Sequence, residues 1–168
     1  MRKTLIFILF FLTVPAMSLA VDTNIKNTIQ IAPLKYEEKL NLGDVKDGVI
    51  DVMNPTANDE TISIEASSLK MNGLNGQLVF YKNTDQNSFE KFITFSEDKF
   101  VLPAGTGKKV KFRLGIPISA SPGGYFGAVF FRLVPNNTAT METRAIATGE
   151  AGTLFILSVG QGDIRSGK

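Results

Sequence analysis

The sequence predicts an all-β fold, an antiparallel β-sandwich of about seven to nine strands. Short apolar–polar alternations recur along the chain, and turn-forming Gly, Pro and Asn residues separate them at spacings of about 8–12 residues. No segment carries an extended helical stripe of apolar residues. Because the strands are short and unequal, a sandwich is favoured over a barrel. The predicted strands span residues 28–32, 45–53, 61–66, 77–81, 92–95, 99–102, 109–116, 125–134 and 153–159.

The first strands are defined by the residues that stop them. Residues 28–32 alternate as far as Pro33, which marks an edge strand because proline cannot donate a ladder hydrogen bond. Residues 45–53 follow a turn and end at Asn54 and Pro55.

The middle of the chain contains shorter alternations. Residues 61–66 alternate and place Ile62 and Ile64 on one face, whereas residues 67–75 are predicted to form one helical turn at most. Strand 77–81 follows two glycines. The pieces 92–95 and 99–102 complete this region.

The last three strands differ in which faces they bury. Residues 109–116 alternate cleanly, so one face is buried and the other is wet. Residues 125–134 and 153–159 are apolar on both faces, as expected for the middle of a covered sheet. A further strand at 144–147 is weakly indicated.

The N-terminus has the layout of a secretory signal peptide. Arg2 and Lys3 precede an apolar run at residues 5–14, Pro15 breaks the run, and small residues lead to Ala20. A bilayer span needs about 20 apolar residues, so this run is too short to be an anchor. We therefore predict cleavage after Ala20, a secreted or extracytoplasmic mature chain without a membrane span, a domain at 21–160 and a loose tail at 161–168.

Composition excludes several function classes. The chain contains no His and no Cys, which removes His-dependent catalysis, thiol catalysis and zinc sites built on either residue. Without the two leader cations, 18 − 2 = 16 positive charges face 16 negative charges, so no nucleic-acid partner is indicated. No cofactor, metal site or enzyme activity is predicted.

Three motifs together indicate a family. They are Gly48 to Pro55, Phe100 to Gly105 with the strand after it, and Pro122-Gly123-Gly124-Tyr125 with Gly152-Thr153-Leu154 further on. This order resembles the immunoglobulin-like domain of the WxL-interacting protein, peptidoglycan-binding family of bacterial surface proteins, and more distantly the N-terminal domain of pilus chaperones. The resemblance implies an immunoglobulin-like sandwich in the cell envelope, with peptidoglycan or a wall-associated surface protein as its partner. Family members typically continue into a second sandwich and a membrane helix, whereas this sequence stops at Lys168.

The candidate binding residues fall into three groups. Phe126 and Phe130 should face away from the core and form an apolar binding surface, unless loop 67–75 or loop 136–150 covers them. Tyr36 and Tyr81 are secondary candidates for stacking on a glycan. Lys109, Lys111 and Arg113 form a cationic row that could contact wall phosphates, or that protects an edge strand from pairing.

We therefore predict a binding or structural module of the cell envelope. The alternative is a chaperone-like domain that offers a strand edge to a secreted protein subunit. A carboxylate-based hydrolase is the more distant alternative, because it would need buried paired acids.

Overall fold

The computed structural model describes residues 29–72, 77–83, 85–134 and 149–161. This part of the chain forms two packed β-sheets, which confirms the predicted all-β sandwich. The signal peptide, the possible strand at 144–147 and residues 162–168 of the predicted tail lie outside the described residues. The elements are β1 (Gln30–Ala32), β2 (Lys35–Asn41), β3 (Val45–Met53), β4 (Glu60–Asn72), β5 (Gln77–Tyr81), α1 (Phe89–Phe92), β6 (Ile93–Phe95), β7 (Lys99–Leu102), β8 (Gly107–Gly115), β9 (Gly123–Leu133) and β10 (Glu150–Gly160).

The two sheets differ in size. The smaller sheet has the order β1-β3-β8-β6, and the larger has the order β2-β10-β9-β4-β5, with β7 also pairing with β4. The pairs are antiparallel except for β2 and β10, which run parallel over seven residues. The predicted antiparallel sandwich therefore contains one parallel pair that the sequence did not indicate. None of the described residues forms a helix long and apolar enough to cross a membrane.

Strand β2 was missed in the sequence because only Tyr36 and Leu40 mark its inner face. Four of its seven residues are charged, which obscures the alternation. The chain leaves the smaller sheet after β1, passes through Pro33 and Leu34, and joins the larger sheet as β2. This transfer is held by Thr153, whose hydroxyl donates to the Pro33 carbonyl at 2.9 Å.

The region after residue 66 also differs from the prediction. Residues 67–72 continue β4 as a strand, so the expected helical turn is wrong there. The one short helix of the described residues, α1, lies instead at Phe89–Phe92, just before β6. Phe89 and Phe92 are both buried, and a single helical turn points both rings toward the core.

A buried asparagine explains one of the sequence motifs. The Asn54 side chain is fully buried, and its amide donates to Leu102 O at 3.0 Å and to Asn58 O at 2.8 Å. Its carbonyl accepts from Thr56 N at 3.0 Å. The amide also donates to Pro103 O at 3.3 Å, so this one side chain ties the end of β3 to the end of β7 and to the turn that precedes β8.

Four aromatic rings meet between the sheets. Phe155 on β10 stacks on Tyr36 at 5.1 Å between ring centroids, and Phe112 from the opposite sheet meets both rings edge-on. Phe89 from α1 contacts Phe155 at 5.3 Å. These rings, named here the aromatic cluster, fill the centre of the core.

Two glycines make room for the aromatic cluster. A Cβ at Gly127 would lie 2.1 Å from Phe89 Cδ1, and a Cβ at Gly48 would lie 2.2 Å from Phe112 Cζ. Non-bonded carbon atoms do not approach so closely, so any side chain at either position displaces a buried ring.

We expect Gly127→Ala to lower the free energy of unfolding by about 3 kcal/mol, because the buried Phe89 ring must shift. Urea denaturation followed by circular dichroism measures the change. Gly115→Ala is the matched control, since no atom lies within 4 Å of the position that its added methyl group would take and its backbone is extended. Equal stability of the two variants would contradict the role assigned to Gly127.

Candidate functional site

The outer face of the larger sheet carries an apolar surface. In β9, Tyr125, Gly127, Val129, Phe131 and Leu133 face the core, as predicted, and in β10 the residues Phe155, Leu157 and Val159 do the same. The intervening residues of both strands therefore face outward. Several of them are large and apolar.

Register shows that these outward residues are neighbours. Phe130 lies opposite Glu65 on β4 and Gly152 on β10, while Phe126 lies opposite Ile156. On the far side of β4, Leu69 lies opposite Phe80. We name this surface the apolar patch; its members are Leu69, Leu78, Phe80, Phe126, Phe130, Leu154 and Ile156.

Glycines and small residues set the shape of the apolar patch. The Phe130 ring lies over Gly152, where a Cβ would come within 3.0 Å of the ring, and Phe126 leans over Gly124. Ala128 lies between the two phenylalanines and is buried. Phe130 also meets Phe80 edge-on at 5.0 Å, so the patch extends from the middle of the sheet to strand β5.

The patch is open to solvent at several positions. Phe126 is 47 % exposed, Phe80 is 46 % exposed and Leu78 is 55 % exposed. Of the two loops predicted as possible covers, residues 67–72 lie within the sheet as part of β4 and do not lie over the face. Residues 136–148 of the other loop lie outside the described residues.

An ion network bounds one end of the patch. Arg132 lies between Glu65 and Glu150 and hydrogen-bonds to both, and Lys82 reaches Glu65 at 2.6 Å. Hydrogen bonding from Lys82 and the charge of Arg132 lower the pKa of Glu65. The Arg132 guanidinium also lies 5.5 Å from the Phe130 ring centroid, which joins the charged end to the apolar patch.

Glu90 on α1 holds the β4–β5 side of the patch in place, and sequence reasoning missed it. Its carboxylate accepts from Ser68 N at 2.7 Å, from Ser68 Oγ at 2.6 Å and from Asn83 N at 3.0 Å. Ser68 is the last residue of β4 that pairs with β9 on one edge and the first that pairs with β5 on the other edge. Burial raises the pKa of Glu90, but these hydrogen bonds together outweigh burial and the net pKa is lowered. No sequence pattern links residues 22 positions apart, so only the fold could reveal this contact.

The two tyrosines predicted as candidate glycan contacts lie in different settings. Tyr36 belongs to the aromatic cluster, and its hydroxyl donates to Val49 O. Its ring therefore packs against protein rings and serves the core. Tyr81 is half-buried at the end of β5, with Lys70 Nζ 4.7 Å from its ring centroid.

The cationic row lies on the outer face of the smaller sheet, away from the apolar patch. Arg113 forms two hydrogen bonds to Asp47, at 2.7 and 3.0 Å, and Lys109 reaches Asp51 at 2.7 Å. Hydrogen bonding and the charge of Arg113 lower the pKa of Asp47. Among the described residues, only Lys111 of the three has no carboxylate within 4.0 Å, so the row has little net charge.

The alternative interpretation of this row, as protection of an edge strand, stays a prediction. Strand β8 pairs with β3 along its whole length but with β6 only at residues 112–114, so among the described residues no strand pairs with its other edge beside Lys109. Its cations face two aspartates of β3 across the strand pair, which is a stabilising cross-strand arrangement.

Comparisons with known proteins define the fold but no family. No protein-family model matches the chain, and no curated protein matches it. Membership of the WxL-interacting protein family therefore stays a prediction.

Several solved structures are similar to the chain. One is the ASH or PapD-like domain of human CEP192 (PapD-like domain 7), with a TM-score of 0.56 and 11 % identity over 96 % of this chain and 99 % of that one. Another is the class 5 fimbriae chaperone CfaA, with a TM-score of 0.55 and 16 % identity over 79 % of this chain and 57 % of the chaperone. The E. coli chaperone DraB gives a TM-score of 0.52 and 8 % identity over 80 % and 56 % of the two chains.

These likenesses place the chain in the PapD-like, immunoglobulin-like fold class. The chain spans a little over half the length of the chaperones that it matches. The predicted likeness to the N-terminal domain of pilus chaperones is thus supported at the level of the fold.

We expect Glu90→Gln to lower the free energy of unfolding by about 1 kcal/mol at pH 7, an estimate reduced for the partial exposure of this carboxylate. Because the folded-state pKa of Glu90 is lowered, its stabilisation is fully present above the ordinary glutamate pKa and is lost as the pH falls through the folded-state value. Urea denaturation between pH 7 and pH 3 should therefore show the two proteins converging in stability at the acid end.

The matched control for this experiment is Glu97→Gln, which removes a partly exposed carboxylate paired with Lys108. It should change stability little at pH 7. A pH-independent difference between the wild type and Glu90→Gln would contradict the proposed charge-dependent contact.

Proposed function

We propose that this chain is an extracytoplasmic binding protein that captures another secreted polypeptide, in the manner of a chaperone-like module, on its apolar patch. The observation that carries the proposal is the patch itself, with seven large apolar side chains on the outer face of one sheet and three of them about half exposed. Contiguous exposed apolar surfaces of this kind in soluble domains are typical of interaction sites.

The composition of the patch favours a polypeptide partner over a sugar. Its two central aromatic residues, Phe126 and Phe130, have no polar group with which to hydrogen-bond hydroxyls. Its charged groups are concentrated at one end, where Arg132 is already hydrogen-bonded to Glu65 and Glu150. An apolar centre with a charged rim is the usual anatomy of a protein–protein interface.

The comparisons and the signal peptide are compatible with this role. The solved structures similar to this chain include pilus chaperones, one of them in a pre-assembly complex with a tip adhesion subunit from Acinetobacter baumannii. The predicted signal peptide would place this chain outside the cytoplasm, where such a partner would be found.

A hydrolase function has less support. A general acid at a glycoside site needs a raised pKa, whereas the partly buried carboxylates Glu65 and Glu90 both have lowered pKa values. The chain does match 23 % of a family 123 glycoside hydrolase from Clostridium perfringens, which is a likeness of fold at 12 % identity.

The apolar patch can be tested by its effect on a client polypeptide. The wild type should slow the aggregation of reduced α-lactalbumin, and the double variant Phe126→Ser/Phe130→Ser should reduce that effect at least about fivefold, because two central apolar contacts are lost. Light scattering at matched protein ratios measures the effect, and circular dichroism confirms that the variant is folded.

Ile118→Ser is the matched control for the patch. Ile118 is the most exposed large apolar residue described, at 82 %, and it lies in the turn between β8 and β9. It should retain wild-type activity in the aggregation assay. If Ile118→Ser and the double variant lose activity equally, the patch is not the binding site.

Wall binding is the second candidate function, and one groove supports it. This groove, of about 640 Å³, lies on the smaller sheet and is lined in part by Val49, Phe95 and Lys111. The Lys111 ammonium could contact a wall phosphate. Co-sedimentation with insoluble peptidoglycan should then fall at least about threefold in Lys111→Gln and should weaken with salt. Equal retention of both proteins would count against this groove.

A further inference from the structure

The free edges of the two sheets are protected unequally. Strand β1 has three residues and is followed by Pro33, and β6 also has three residues and follows α1 directly. Strand β2 carries four charged side chains and takes part in the Lys35–Glu37 and Lys46–Glu38 ion pairs, while β7 begins with Lys99. Short length, proline and charge are the devices by which natural sheets prevent edge-to-edge pairing.

Strand β5 has none of these devices. Its five residues, Gln77–Tyr81, include no charged side chain and no proline. It pairs with β4 along one side, and no described strand pairs with its other side. Leu78 and Phe80 project from it and are about half exposed. An uncharged apolar edge of this kind is a template for a further strand.

We propose that the occupant of this edge is β5 of a second copy of the chain, paired antiparallel about a two-fold axis at Val79. This register sets Leu78 beside Phe80 of the second copy on the outer face, and the reverse pair forms by symmetry. Gln77 then lies beside Tyr81 of the second copy. The sequence of the strand is therefore complementary to itself, which is what an isologous interface requires.

Charge supports a second copy as the occupant. A two-fold axis brings like charges of the two subunits close together, and β5 carries none that would repel. The two nearest cations are already engaged, since Lys82 pairs with Glu65 and Lys70 lies over the Tyr81 ring. The outer-face pairs are aliphatic beside aromatic, a favourable cross-strand combination.

The dimer would be weak and would enlarge the apolar patch. Pairing of five edge residues buries much less than the roughly 800 Å² per partner of a standard stable interface, so association is expected at high micromolar concentration. Because Phe80 contacts Phe130, the two patches would become one continuous surface. The dimer does not depend on the proposed binding function, since the edge can pair whether or not the patch holds a polypeptide.

The absence of cysteine from the chain allows a direct test. In the proposed register, Val79→Cys places two cysteines opposite each other on the axis, within disulfide reach. Gln77→Cys on the same strand places its two thiols about 13 Å apart, because each lies two residues from the axis in opposite directions. Non-reducing gels after mild oxidation of the protein expressed from the full sequence measure the covalent dimer.

We expect Val79→Cys to form the covalent dimer at least about tenfold faster than Gln77→Cys, and adding Phe80→Lys to Val79→Cys should abolish the difference. Sedimentation velocity of the cysteine-free protein should show a concentration-dependent dimer that Phe80→Lys removes. Equal oxidation rates for the two cysteine variants, or a wild type that stays monomeric at about 1 mM, would overturn the proposal. Val79→Lys lies outside the apolar patch and sets two lysines opposite each other on the two-fold axis, so it should remove the dimer and keep wild-type activity in the aggregation assay, which separates this inference from the binding function.

Discussion

The aromatic cluster in the centre of the core controls how the two sheets of this protein pack. Phe155 of the larger sheet and Phe112 of the smaller one can meet Tyr36 only because Gly48 has no side chain in the space of the Phe112 ring. Gly127 likewise leaves the space that the Phe89 ring occupies. Because protein interiors are close-packed, the lack of a side chain at Gly48 and Gly127 determines the position of α1 and the spacing of the sheets around it.

The position of α1 in turn determines the shape of the outer surface. Phe89 and Phe92 bury α1 against the core, and this places the Glu90 carboxylate where it binds Ser68 and Asn83. Those contacts hold β5 against β4, so Phe80 reaches Phe130 and the apolar patch continues to the edge of the sheet. A constraint inside the sandwich thus decides what surface is available outside it.

Strands β9 and β10 link the fold to the proposed function. Both are apolar on both faces, a pattern typical of strands covered on two sides. Here the inner face packs on the smaller sheet, while the outer face carries Phe126, Phe130 and their neighbours in contact with solvent. These strands therefore carry more apolar side chains than the core needs, and the apolar side chains that face outward form part of the apolar patch. A surface of this kind lowers solubility unless it has a partner, which is the physical reason to assign it to binding.

The amino-acid sequence by itself determined the strands whose side chains alternate, together with the outward direction of Phe126 and Phe130, because a period of two residues follows from the pleat of a single strand. It could not show that Leu78, Phe80, Leu154 and Ile156 complete the patch, since neighbours across a sheet depend on register. For the same reason it could not show that Asp47 and Asp51 neutralise Arg113 and Lys109, partners 66 and 58 positions away in the chain. Strand β2 escaped prediction because its outward residues are charged. The continuation at 67–72 escaped prediction because Leu69 faces outward while Ser68 and Lys70 lie on the opposite face, which breaks the apolar alternation of residues 61–66. Tertiary structure decided each of these features, because each depends on contacts between segments distant in sequence.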